Sequence, residues 1–175
     1  MIPLTGRGAV LSPDRKYRYR LWRTIIHNMQ DKRCAFVMLN PSTADETADD
    51  ATIRKCAGFA SRWGFGAFDV VNLFAWRATK PKELLSSPNA VGIENQQHVA
   101  EVVYHAQRVV LAWGSHPPLR DWISNEIIRP EWYVIRTMAK AGTFGRNKDG
   151  APKHPLMLAY DTPFQPLREF ERAMS

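Results

Sequence analysis

With 175 residues, 45% of them hydrophobic, the chain is long enough for one domain with a proper core and too short for two, so a single domain over 1–175 is expected. Its formal charge of +7, from 24 Lys and Arg against 17 Asp and Glu, suits either an ordinary solvated basic surface or a phosphate-bearing partner. The two cysteines, Cys34 and Cys56, exclude a cysteine-bound zinc or iron–sulfur cluster within one chain. They suit a reducing compartment, and no apolar run approaches the roughly 18–20 residues of a membrane span or makes a signal-peptide core, so no membrane partner and a cytoplasmic location are expected.

The charge is uneven along the chain. Residues 1–33 hold eight Lys or Arg against two acids, and 129–153 hold six against two. Residues 17–23 read as a strand in which alternation puts Arg18 and Arg20 on one face and Tyr17, Tyr19 and Leu21 on the other, an arrangement that could track phosphates. A buried strand follows at 34–39 (CAFVML). It stops at Asn40-Pro41, ahead of the short polar run Ser42, Thr43, Ala44, Asp45, and polar groups at a strand's carboxyl end are where open α/β sheets bind ligands. Ser42, Thr43 and Asp45 suit phosphate or sugar hydroxyls, or equally a side-chain-bonded turn.

Asp49 or Asp50 can cap a helix running to about Trp63, with Ile53, Cys56, Phe59, Ala60 and Trp63 at helical spacing and Gly64 as the stop. Next come a strand at 68–74 (FDVVNLF), a short helical turn opened by Thr79-Lys80-Pro81, an amphipathic helix from Ile93 to Gln107 and a third buried strand, Arg108 to Gly114. A helix over about Leu119 to Ile128 and a fourth strand, Trp132 to Arg136, complete the pattern. Strands separated by helices predict a three-layer α/β/α sandwich with a mostly parallel central sheet. Asn40, Asn72, Gly114 and Thr137 then fall at strand ends along one edge. The basic segment Lys140 to Lys153 reads as a lid or binding loop over that edge, leading into His154-Pro155-Leu156.

Glu94, His98, Glu101 and His105 recur at helical spacing, and an exposed polar stripe is expected there in preference to a metal site. There is no P-loop and no G-x-G-x-x-G, and Ser115-His116 lacks the context of a hydrolase nucleophile. No cofactor is expected.

The order VMLNPS, VVNLF, VLAWG, KHPLML resembles the order of motifs in the uracil-DNA glycosylase superfamily. The chain also resembles, over nearly its whole length, a bacterial and phage family, domain of unknown function 1643, in which the NPSTAD, NLFA, AWG and HPL segments recur. The first resemblance implies a uracil-DNA glycosylase-like fold, DNA as partner and hydrolysis of an N-glycosidic bond in a damaged or modified base. It implies Asn40 as the amide that orients the attacking water and His154 as the group that hydrogen-bonds the leaving base. Asn72 would read the base edge, Leu156 would fill the vacated stack, and Phe59 would stack on the base. Pro41, Ser42, Thr43, Asp45 and Lys153 complete the implied substrate-binding set. The late segment lacks the serines of the glycosylase loop, and Ser42 stands directly after Pro41 where those enzymes place a Tyr, so the base is not implied. A non-catalytic nucleic-acid or nucleotide-binding module, or an enzyme on a small phosphorylated or glycosylated metabolite, fits the same residues.

Overall fold

A computed structural model describes residues 4–25, 32–127 and 140–167. The predicted strand 132–136 and Thr137 lie outside these residues. The core is a seven-stranded sheet in the order β1-β2-β4-β3-β5-β6-β7. Its strands are β1 (Leu4–Leu11), β2 (Arg18–Ile25), β3 (Arg33–Met38), β4 (Ala67–Asn72), β5 (Arg108–Leu111), β6 (Ala141–Thr143) and β7 (Gln165–Pro166). The four central strands, β4, β3, β5 and β6, are parallel, while β1, β2 and β7 add antiparallel edges.

Side-chain alternation in the central strands separates two cores. Ala35, Val37, Val71, Val109 and Leu111 point to one side, where helices α2 (Asn95–His105) and α3 (Arg120–Ile127) contribute Val99, Val102, Val103 and Ile123. Cys34, Phe36, Phe68, Val70 and Val110 point to the other, against Ile53, Cys56, Phe59 and Ala60 of α1 (Ala51–Arg62). Burial on both faces is what makes these strands read as continuous apolar runs.

Helix α1 follows its sequence signals. The Asp50 side chain accepts from Ile53 N–H at 2.8 Å, and Gly64 takes the left-handed φ of 81° that ends the helix. Phe59 is fully buried, its ring 4.4 Å from that of Phe144 and 5.4 Å from that of Trp63, so it is a core residue and does not stack on a ligand in the cavity described below.

The alternation expected in β2 breaks at one residue. Leu11 pairs with Arg18 and Val10 with Arg20, which leaves Tyr19 as an extra residue, a β-bulge that shifts the phase of the strand. Arg18 and Arg20 therefore part company. Arg20 Nε donates to Asp69 at 2.8 Å and Nη1 reaches Glu101 of α2, whereas Arg18 Nη1 donates to the Ala44 carbonyl at 2.9 Å across the opposite face.

The arginines of the basic amino-terminal segment bond to groups of the protein itself, which leaves less of their charge for a phosphate track. Arg23, wholly buried, gives Nε to Asp49 at 2.7 Å and Nη2 to the Asp45 and Ala48 carbonyls at 2.6 and 3.2 Å. Arg7 donates to the Thr47 carbonyl, Arg15 makes a two-pronged bond to Glu46, and Arg33 shares Asp69 with Arg20. Arg7, Arg15, Arg18 and Arg23 thus share the loop 44–49 as their target and fasten it to the sheet, while Arg20 and Arg33 meet at Asp69 of β4.

Candidate functional site

The chain runs from β3 through α1 to β4 on one side of β3. It then returns through α2 on the other face to β5, on β3's far side. The loops leaving β3 and β5 thus diverge, and such a switch point opens a crevice at the carboxyl ends of the strands. Met38 pairs with Asn72 and Val37 with Leu111, so Asn72, Asn40 and Trp113 reach this edge at nearly one level.

A cavity of about 150 Å³ lies there. Among its lining residues are Asn40, Ser42, Asp50, Asn72, His116 and His154, with Arg18 from the bulged strand. Its most telling member is Asn72. The side chain is fully buried, yet neither Oδ1 nor Nδ2 has a partner among the described residues. Leaving such a group unpaired costs about 1–3 kcal/mol, and native proteins rarely tolerate it without a use. The Asn72 carbonyl is held separately, since Asn95 Nδ2 donates to the Asn72 and Leu73 carbonyls at 3.0 and 3.2 Å.

His154 enters from the loop after β6. Its Nδ1 accepts from Leu156 N–H at 3.3 Å, which assigns the proton to Nε2 and makes that nitrogen a donor. Burial, and then the neighbouring His116, hold the imidazole below the usual histidine range, so the neutral form is favoured. His116 Nε2 lies 2.7 Å from the Trp113 carbonyl and so carries its own proton there. Gly114 lets the two histidines approach. Its φ of 79° is left-handed, and a Cβ would sit 3.2 Å from His154 Cβ and 3.4 Å from His116 Nε2.

Arg18 is buried, and desolvation pushes its guanidinium down to about 10, opposed by Asp50. Its Nε has no partner among the described residues. The Tyr19 bulge thus delivers a cation to the same cavity as the Asp50 carboxylate.

Asn40 is differently employed. Its Nδ2 donates to the Pro41 and Ala78 carbonyls at 2.9 and 2.8 Å, tying the β3 exit to the segment after β4. Pro41 and Thr43 do not line the cavity, nor does Asp45, whose Oδ1 accepts from Thr47 N–H and Ala48 N–H at 2.9 Å each. Those backbone bonds, first Thr47 and then Ala48, bring the Asp45 carboxyl down to about 2. Lys153 is half-buried beside His154, outside the cavity lining, with its N–H on the Gly145 carbonyl at 2.9 Å. Leu156 is 40% exposed, next to Met157 at 89%. The cavity therefore brings together Asn40, Ser42, Asn72 and His154 from the sequence-derived set. It adds Arg18, Asp50 and His116; Arg18 had stood out as a strand arginine suited to phosphate and Asp50 as a helix cap, while His116 carried no such signal.

A second cavity, of about 230 Å³, adjoins the first and shares Trp113 and His116 with it. The segment 140–153, expected as a lid, begins as β6 and then folds into a tight hairpin that forms one wall of this second cavity. Arg146 bridges Pro152, and Asn147 N–H donates to the Ala151 carbonyl at 2.8 Å.

The model of the family described as a protein of unknown function, DUF1643, matches residues 18–156, which include every residue lining the first cavity. The chain belongs to the DUF1643 family. No curated protein matches it. Among solved structures it is similar to the hetero-hexameric glutamate dehydrogenase from Thermus thermophilus in its Leu-bound form, at 19% identity over 72% of this chain and 30% of that one. The TM-score of 0.29 carries no argument about fold or activity. In this DUF1643 chain, the helical stripe of α2 packs on β2, where His98 stacks on Tyr19 and Glu101 pairs with Arg20. Among the described residues no group of three or more His, Cys, Asp or Glu side chains is placed to hold an ion, and no helix is long and apolar enough to cross a membrane.

Proposed function

We propose that the protein is a uracil-DNA glycosylase-like enzyme that hydrolyses the N-glycosidic bond of a damaged or modified base in DNA. The observation that carries this reading is the buried, unpartnered Asn72 amide, which offers one donor and one acceptor side by side, the pattern displayed by the edge of a nucleobase.

The lining residues divide the chemistry between them. Water adds to C1′ of the sugar as the C1′–N bond breaks, and the bonding pair leaves with the base. His154 Nε2–H donates to the base oxygen on which negative charge develops, a task that suits a neutral imidazole fixed in this tautomer. Asp50, the one carboxylate among the described residues of the cavity lining, accepts the proton of the attacking water, and Asn40, whose amide nitrogen is fixed by two carbonyls, orients that water through Oδ1. Arg18 faces Asp50 and adds positive charge to the cavity. Exposed Leu156 and Met157, directly after His154, supply apolar side chains of the kind that fill a vacated base stack.

A specific observation favours a second reading, the same bond in a free nucleotide. The amino-terminal arginines that would follow a DNA backbone are bonded internally. Alkali-dependent strand cleavage of oligonucleotides carrying uracil, hypoxanthine or modified pyrimidines, run beside chromatography of nucleotides given the same incubation, separates the two. Cleavage lost in Asp50→Asn supports the DNA reading, and base release from nucleotides alone supports the second. Base release that persists unchanged in Asp50→Asn contradicts the assignment of that residue.

A further inference from the structure

We infer that the second cavity is a phosphate subsite, which holds a phosphate group of the same substrate between Arg120 and Arg146. The inference rests on the base-reading role given to Asn72 in the first cavity. Trp113 and His116 line both cavities, so the two adjoin across these side chains. At about 150 and 230 Å³ each cavity alone falls short of the roughly 300 Å³ at which small-molecule sites begin, while the two together enter that range. A base attached to a phosphorylated sugar has the matching division into a flat amide-edged part and an anionic part.

The charge of the second cavity fits the anionic part. Two guanidiniums, Arg120 and Arg146, line it against a single carboxylate, Asp149. That carboxylate is already occupied: one oxygen accepts from Ser115 Oγ and the other from Ala151 N–H, which together hold it below the usual carboxylate range. Arg146 is held in place by a 2.8 Å bond from Nη1 to the Gly150 carbonyl across its hairpin. Arg120 is exposed, stands at the start of α3 and is close enough to Asp149 for its charge to help lower that carboxyl, with no hydrogen bond to it among the described residues. A guanidinium presents its donors in a planar fork that matches phosphate oxygens.

Inorganic phosphate tests the subsite directly. Phosphorus NMR line broadening should report binding to the wild-type protein, weakened about tenfold or more in Arg120→Gln, as expected for loss of a charge-assisted contact. In parallel, each 2′-deoxynucleoside 5′-monophosphate should bind more tightly than its nucleoside, and the gap should close in Arg120→Gln with no change in thermal midpoint. Absence of phosphate broadening, or equal broadening in wild type and variant, overturns the subsite. The base-reading role fails separately, if Asn72→Leu leaves nucleoside affinity unchanged while the phosphate response persists. Competition identifies the source of the phosphate: displacement by a short single-stranded oligonucleotide at lower concentration than by monophosphates assigns a DNA diester, and the reverse order assigns a free nucleotide.

Discussion

Replacing Asn72 by Leu should make the ligand-free protein more stable while removing its ability to bind a base. Asn72 is fully buried at the end of β4, both its amide atoms lack partners, and its backbone carbonyl is secured by Asn95, which the substitution leaves in place. An unsatisfied buried polar group costs about 1–3 kcal/mol, and Leu removes it while keeping the same branching and length, its slightly greater bulk finding room in the adjoining cavity of about 150 Å³. Water entering that cavity satisfies part of the amide, so the expected gain is near the lower bound, about 1 kcal/mol. For a chain of this size that is a rise in thermal midpoint of about 2–4 °C. Urea denaturation of both proteins without ligand measures it, since a shift in midpoint at constant slope is a change in stability alone. A loss of stability of about 1 kcal/mol or more in Asn72→Leu would refute the reasoning, because it would mean that the amide is a structural residue with partners in the folded state.

Further outcomes follow from the same geometry. Asp50→Asn preserves an oxygen acceptor for Ile53 N–H, so stability should change by no more than about 0.5 kcal/mol while turnover falls about 100-fold or more; Asp50→Ala should cost about 1 kcal/mol in addition. His154 is held below its ordinary value of 6.5 in the folded state, so the unfolded chain binds the proton first as pH drops. Its contribution to stability is complete above about 6.5 and is lost as pH falls through the lower folded-state value, a slope that His154→Gln should flatten in pH-dependent denaturation. Asp45 acts in a separate, more acidic window: its stabilisation is present above 3.8 and is lost as pH falls to about 2, and Asp45→Asn should remove that loss. Gly114→Ala forces a left-handed conformation on alanine at about 1–2 kcal/mol and crowds both histidines, so catalysis should fall along with the thermal midpoint. Phe59→Ala, in contrast, should cost about 3–5 kcal/mol of stability, readable by denaturant, through the aromatic core alone.

Much of the scaffold was legible because local signals and burial agree in it. β3 and β4 are apolar on both faces, and α1 carries Asp50 before it and Gly64 after it, so their limits could be read within a residue or two, while β5 ends three residues before the expected Gly114. The convergence of Asn40, Asn72 and His154 was legible for a related reason: parallel strands bring their carboxyl ends to one edge, whatever the residues there do. Three strands, β1, β6 and β7, were not legible. β6 and β7 have three and two residues, too few for any period, and β1 exists through pairing with β2. Nor did the sequence indicate that the basic segment turns inward. One extra residue, Tyr19, reverses the phase of Arg18, and the acceptors of Arg7, Arg18 and Arg23 are carbonyls of loop 44–49, which side-chain composition does not encode. Asp50 was read as a cap, and only the folded chain shows that the cap also borders the cavity.

The central claim is that the Asn72 amide reads a nucleobase. Titration of side-chain-labelled protein with free bases, followed through the Asn72 Nδ2 resonances assigned with Asn72→Leu, tests it most directly. The account predicts that at least one base shifts these resonances and slows their exchange with water, with His154 responding alongside. If the bases bind and leave the Asn72 resonances unmoved, or if none of them perturbs the first cavity, the account is contradicted.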